Sequence, residues 1–434
     1  MRATQNFRYL AIMLTACLFF TGSKMPPIFF HRLDPIHFFP RLPETTNNVK
    51  IDGAEATKIN QINNPTNIIN EHQANFYVKG NLTNLKFEAI NNEWAKDLST
   101  SPAFDEQNIF TLKNRGHIKC YNKNTKQLNW QYQIILPTKE HEFSTVSIQD
   151  KYLIVTVKNT LFVFDKENGR EVMFKTLASR IISSPAISKH GILNVQTADI
   201  YYQFDINYKR ELNRKYGSHT NLVQQTTISP ILYKDGVLTT HTDNKITYSS
   251  CDINKINQEF LLPKIISEME LLQSKLPSKL RSVACQPILS DDNLFVVSTH
   301  KKLMKYDLKN QTIVWQIPIP GIMKIFKVKN TIFSTGYANQ IIAIDADSGK
   351  ILWVKSLPYK KSDLNVGAFM ANGKIVVCSK MHKKITLITN DGKIEKQITL
   401  PKLPANIRIL SIMPVNDELI LFTSKKSIKL VSSF

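Results

Sequence analysis

Five carboxylates recur at matching places along this chain, Asp165, Asp205, Asp252, Asp307 and Asp345, and Asn122 and Thr389 continue the column at either end. Carboxylates can serve as general acids or bases, or as hard oxygen ligands for a divalent cation. A carboxylate pair or a cation site needs at least two of them to converge on one point. Here each follows an apolar or aromatic residue, as in Phe164-Asp165, Tyr306-Asp307 and Ile344-Asp345, and each leads into a turn-rich stretch. The step from one to the next is roughly forty-odd residues, the spacing of repeated sheets. One carboxylate per repeat suits a structural device, because an Asp there can accept hydrogen bonds from the backbone of its own turn. The column is therefore assigned to architecture. The ten histidines are scattered and form neither a metal-ligand spacing nor a triad. No catalytic, metal or cofactor residue is assigned.

Sulfur is the other candidate chemistry. Arg2 and Arg8 precede the apolar stretch Tyr9-Leu10-Ala11-Ile12-Met13-Leu14-Thr15-Ala16. It is shorter than the roughly 20 residues a bilayer span needs, and 1–16 reads as a signal peptide. Leu14-Thr15-Ala16-Cys17 resembles the lipobox of bacterial lipoproteins. That resemblance implies lipid attachment at the Cys17 thiol, with cleavage leaving Cys17 first. Cleavage after Ser23 and an uncleaved anchor running through Leu18-Phe19-Phe20 stay open. Residues 17–75, with Pro26, Pro27, Pro35, Pro40, Pro43, Pro65 and an Asn-rich run, read as a flexible lipidated tether. Cys120, Cys251, Cys285 and Cys378 form no C-x-x-C, so neither zinc nor a redox pair is suggested. Cys120 and Cys251 fall in different repeats, and buried thiols are expected rather than disulfides.

The elements that carry these residues are short strands. In 324–358, Ile325-Phe326-Lys327-Val328, Thr331-Ile332-Phe333-Ser334-Thr335, Gln340-Ile341-Ile342-Ala343-Ile344-Asp345 and Ile351-Leu352-Trp353-Val354-Lys355 are separated by turn residues. One such sheet cannot bury both faces. Radial stacking covers them, which predicts an all-β, eight-bladed β-propeller of four-stranded antiparallel blades over 76–434. Seven units fit 101–134, 143–177, 183–218, 228–264, 285–321, 324–358 and 367–401. Residues 409–434 supply three strands only, and Leu85–Ile90, with Trp94 behind it, is the N-terminal strand expected to close the ring. Pro102, Pro185, Pro230 and Pro287 read as strand-start prolines. Ile265, Ile266, Met269, Leu272 and Leu276, ended by Pro277, predict an amphipathic helical insertion near 265–280.

The net charge is +21, but Lys is spread through every repeat. No basic tract is interleaved with aromatics, so no nucleic-acid partner is expected.

The run Ile341-Ile342-Ala343-Ile344-Asp345-Ala346-Asp347-Ser348-Gly349-Lys350-Ile351-Leu352-Trp353 resembles the repeat named after pyrroloquinoline quinone enzymes. Together with the lipobox, the tether and eight units, it makes the chain similar to the BamB-like lipoproteins of outer-membrane protein assembly. The partner-binding loops of that family contain Leu-x-Leu-Arg-Gly-Glu-Ser-x-Pro and Leu-x-Asp-Val-Asp-x-x-Pro. Leu177, Arg180, Ser183 and Pro185 match the first, with Ser179, Ile181 and Ile182 departing from it. Leu280, Val283 and Pro287 match the second, while Ser282 and Ala284 replace both acids. The resemblance implies partner contacts at Leu177, Arg180, Leu280 and Val283. It also implies docking on the central subunit of the barrel-insertion machinery, unfolded outer-membrane clients, and an anchor facing the periplasm. A quinone-dependent dehydrogenase shares the repeat, but this chain has no adjacent Cys pair and no recognisable set of Ca²⁺ ligands. An envelope-binding propeller without an assembly role is a third reading.

Overall fold

The computed structural model describes Glu44 and residues 75–432, apart from 136–143, 198–199, 217–227, 241–245, 253–258, 262–284, 299–301, 320–321, 337–338, 359–364, 380–382, 405 and 416. Eight antiparallel sheets follow one another in a propeller ring, the architecture the repeats predict. Blades 1 to 7 span 103–133, 144–176, 186–216, 231–261, 288–318, 322–356 and 365–399, and blade 8 joins 409–432 to Leu85–Ala89. Strands A to D of each blade run from innermost to outermost. Pro102, Pro185, Pro230 and Pro287 each stand directly before a strand A, where a missing N–H removes no ladder bond.

The core lies between blades. Side chains alternate along each strand, so one set faces the preceding blade and the other the following blade. Ile118 and Cys120 of blade 1 thus meet Phe162 and Phe164 of blade 2. Ile341 and Ala343 of blade 6 meet Ile388 of blade 7.

The Asp column builds the C–D turns, except in blade 4, where Ser250 takes the place expected of Asp252 and its Oγ accepts the Asp252 N–H at 3.1 Å. Asp165 Oδ1 accepts the backbone N–H of Glu167 at 2.9 Å, and Asp307 Oδ1 those of Lys309 at 2.8 Å and Asn310 at 2.9 Å. Asp205 Oδ1 takes Asn207 at 3.0 Å and Tyr208 at 3.2 Å, and Asn122 Oδ1 takes Asn124 and Thr125, each at 2.9 Å. The Asn310 N–H holds the Asp307 carboxyl below its usual range. Trp130, Trp315 and Trp353, on strands D, each donate Nε1–H to the C–D turn of the next blade. The acceptors are the carbonyls of Lys166 at 3.0 Å, Ala346 at 3.1 Å and Asn390 at 2.9 Å. Each indole also packs on a glycine of that turn. A Cβ on Gly169, Gly349 or Gly392 would come within 2.6, 2.7 or 2.9 Å of the ring, and their φ values are 72°, 73° and 83°. Where the strand D of the preceding blade carries no tryptophan, the position holds Lys126, Lys209 or Gln311, at φ of 62°, 55° and 54°.

Leu85–Ala89 pairs antiparallel with Ile428–Ser432, Leu85 opposite Ser432 and Ala89 opposite Ile428, so an N-terminal strand closes the ring as predicted. Trp94 departs from the repeat. It lies past the strand in the 3-10 turn Glu93–Ala95, buried against Phe104 at 6.0 Å and Phe422 at 6.3 Å. Its Nε1 meets no acceptor among the described residues. Buried Lys113 of blade 1 holds this turn. Its Nζ donates to the carbonyls of Glu93 at 2.6 Å, Trp94 at 3.2 Å and Lys96 at 2.6 Å, and burial brings its pKa down to about 8.

A fifth strand in blade 7 goes beyond the sequence reading. Asn75–Phe76 adds in parallel to the inner edge of that blade, Phe76 opposite Ala371. The chain then crosses between blades 7 and 8, burying Phe76, Val78 and Leu82. Phe76 meets Phe369 edge-on at 5.6 Å. Asn372 pins the crossing: Oδ1 accepts the Val78 N–H at 3.0 Å and Nδ2 donates to the Val78 carbonyl at 2.6 Å. The predicted signal peptide, Cys17, most of the tether and the helical insertion near 265–280 lie outside the described residues.

Candidate partner-docking face

Antiparallel succession sends the A–B and C–D turns to one end of every blade and the B–C turns and D–A connections to the other. The Asp column and the tryptophan contacts occupy the first end. Residues 177–185 connect blade 2 to blade 3, and 262–287 connect blade 4 to blade 5. Both loops singled out in the sequence therefore belong to the D–A end.

The first loop is fastened along its length to the B–C turns of blades 2 and 3. The Leu177 N–H donates to the Asn159 carbonyl at 2.8 Å, and Asn159 Nδ2 returns a bond to the Leu177 carbonyl at 2.9 Å. The Ile181 N–H donates to Lys158 at 2.7 Å and the Ile182 N–H to Gln196 at 3.3 Å. Ser179 Oγ bonds Thr197 Oγ1 at 2.7 Å. Gln149 grips the far end, Nε2 donating to the Pro185 carbonyl at 3.2 Å and Oε1 accepting the Ile187 N–H.

This fastening sorts the predicted contact residues. Leu177 turns inward into the core between blades 2 and 3, at 6 % exposure, so it fixes the base of the loop. Ile181 and Ile182, which replace Gly-Glu of the family motif, are buried as well. Arg180 is exposed at the tip. Leu280 and Val283 lie outside the described residues, as does Cys17. The foot of the second loop is described: Cys285 and Pro287 are buried, and Gln286 clamps Ser229, accepting its N–H at 2.6 Å and donating to its carbonyl at 3.2 Å. Asn159, Thr197 and Gln149 escaped the sequence reading. They lie 18 to 38 residues from what they hold, and turns are rich in such residue types.

The four described cysteines are buried thiols in different parts of the ring. Burial pushes Cys120 and Cys285 up to about 12. No cluster of His, Cys, Asp and Glu that could hold a metal occurs among the described residues. None of their helices is long and apolar enough to cross a membrane.

The fold and its Asp–Gly–Trp phrase define a class: eight-bladed propellers built from pyrroloquinoline-quinone-type repeats. Within that class, the family described as outer membrane protein assembly factor BamB matches residues 114–353, more than half of the 434, and the chain belongs to it. The crystal structure of BamB from Moraxella catarrhalis superposes with a TM-score of 0.61 at 15% identity, covering 80% of this chain and 98% of that one. The C-terminal WD40 domain of Sif2 superposes with a TM-score of 0.58 at 10% identity, over 82% of this chain and 100% of its own. At such identities the likeness shows the fold. An uncharacterized protein of Rickettsia prowazekii is 24% identical over 270 residues, 60% of this chain and 63% of the relative. One of Rickettsia conorii is 22% identical over 265 residues, 59% and 62% of the two chains. The match thus spans less than two thirds of the length of these curated relatives.

Proposed function

We propose that this chain is a non-catalytic scaffold that assists insertion of β-barrel proteins into the bacterial outer membrane. It docks through its D–A end on the central subunit of the barrel-insertion machinery. Arg180 makes the contact from a loop whose base Leu177 fixes, and Leu280 and Val283 contribute from the second loop. Cys17 carries the lipid that holds the protein to the periplasmic face of the membrane, where unfolded barrel clients are its further partners.

The family match over 114–353 carries this reading, since it includes both loops up to Pro287. The fastening of 177–185 supports it, because a contact residue on a fixed loop loses little conformational entropy on binding. Ser282 and Ala284 take the place of two acids, so the matching patch on the partner is expected to be less basic than the family pattern implies. The test is a pull-down of the tagged chain from solubilised envelopes. Recovery of a barrel-assembly component is expected, reduced about tenfold or more by Arg180→Glu and by Leu280→Asp. Absence of any such component would sink the function. Full recovery with both variants would move the docking site elsewhere. Incorporation of radioactive palmitate that Cys17→Ser abolishes is expected for the anchor.

A further inference from the structure

The junctions between blades are not equally sealed. Between blades 2 and 3, Ile154 and Val163 of one blade meet Tyr202 and Phe204 of the next. The corresponding positions between blades 3 and 4 are polar or small. Asn194 pairs with Gln203 across strands B and C of blade 3, as Ile154 pairs with Val163 in blade 2. In the facing blade, Thr247 and Ser249 stand where blade 3 has Tyr202 and Phe204, and Cys251 stands where blade 3 has Ile206. Among the described residues the apolar cluster here is confined to Ile192, Tyr201, Val237 and Cys251, with Leu212 against it.

Among the described residues, what joins these two blades is largely hydrogen bonding. Gln203 Nε2 donates to the Ser250 carbonyl at 3.1 Å, and Lys215 Nζ donates to Ser249 Oγ at 2.7 Å. The Cys251 thiol lies 3.6 Å from Asn194 Oδ1. Such bonds are exchanged for bonds to water when surfaces part, at a small net cost. Exposing a buried Val or Phe costs more, with no replacement from water. Lys215, whose pKa burial brings down to about 8, recovers hydration on opening.

We propose that the ring has a seam between blades 3 and 4, and that it opens there first rather than at the pairing of its N- and C-terminal strands. The seam divides the D–A connection that enters blade 3 from the one that leaves blade 4. Opening it therefore changes the spacing of loops 177–185 and 262–287. The seam rests on packing alone and stands whether or not those loops dock.

The chain carries its own reporters. Cys120 lies between blades 1 and 2, Cys251 between 3 and 4, Cys285 between 5 and 6, and Cys378 between 7 and 8. The full chain is exposed to a maleimide under native conditions. Labelling is followed at each thiol by peptide mass spectrometry and divided by its rate in the denatured chain. Cys251 is expected to react about tenfold faster than the other three. Labelling of Cys378 or any other of the three as fast as Cys251 overturns the seam. So do four equal rates, which would mean that only global unfolding exposes them.

Discussion

Single residues carry the repeat through a matched pair, an indole on one blade and a glycine on the next. Gly169, Gly349 and Gly392 occur where Trp130, Trp315 and Trp353 arrive, and Lys126, Lys209 and Gln311 take the same backbone conformation where no strand D supplies an indole. The glycine thus serves close approach as much as positive φ. Gly349→Ala is expected to destabilise by about 2–4 kcal/mol, from left-handed strain plus displacement of Trp315. Lys209→Gly, at the equivalent φ, should stay within about 1 kcal/mol of the parent. Urea denaturation of both variants checks this, and equal losses would refute the role given to the indole. Lys113 supports a pH prediction. Its pKa is about 8 in the folded chain against 10.5 ordinarily, so the unfolded chain holds more protons between these values and stability rises with pH there. Against Lys113→Met, in which every other titrating group is shared, the native chain should gain about 2 kcal/mol between about pH 7.5 and 10. A constant difference across that range would show that Lys113 is not desolvated. The Asp and Trp columns were legible because each repeats in register with its own turn. Trp94 and Lys113 were not, since each acts once, across the joint between the closing strand and blade 1.

At the scale of elements, the two halves of the N-terminal segment differ in what they reveal. Leu85–Ala89 reads as a strand on residue type, with Leu85 and Phe87 packed against the blade 7–8 core. Asn75–Phe76 is too short for any periodicity to mark it. The crossing that follows it is held at Val78 by an asparagine 294 residues away in sequence, a partner that only the closed ring brings near. The loops proposed to dock were legible for a different reason. The loop 177–185 carries no hydrophobic period, so only the family motif singled it out, and the motif could not tell that Leu177 points inward. The buried crossing predicts a large effect from a segment that borders the tether and carries no strand pattern of its own. Phe76→Ala should cost about 3–5 kcal/mol, as for other aromatic truncations in packed cores. Lys79→Ala, next to the same crossing but exposed, should change stability by less than about 0.5 kcal/mol. Comparable urea midpoints for the two variants would mean that the crossing is not part of the folded ring.

For the whole molecule, the question is what a ring needs in order to stay closed. Seven blades are continuous in sequence, but the eighth borrows its outermost strand from the other end of the chain. That strand covers an edge that would otherwise offer unpaired backbone groups to other chains. The N-terminal crossing fills the gap between blades 7 and 8 from inside, so closure rests on two separate contributions. Truncation separates them from the tether. Among the described contacts, a chain starting at Asn75 loses the ion pair of Glu44 with Lys355 at 3.4 Å and the bond from the Ser356 N–H at 3.2 Å. Exposed contacts of that kind are worth about 1 kcal/mol or less, so its urea midpoint should match that of the longer chain. A chain starting at Asn91 loses the closing strand and also the burial of Phe76, Val78 and Leu82. Those three side chains alone account for about 5–9 kcal/mol, comparable with the whole stability of an ordinary domain. That second chain is expected to unfold at far lower urea or to aggregate through the exposed edge strand Ile428–Ser432. A shared midpoint for the two truncations would show that the ring closes without its N-terminal strand.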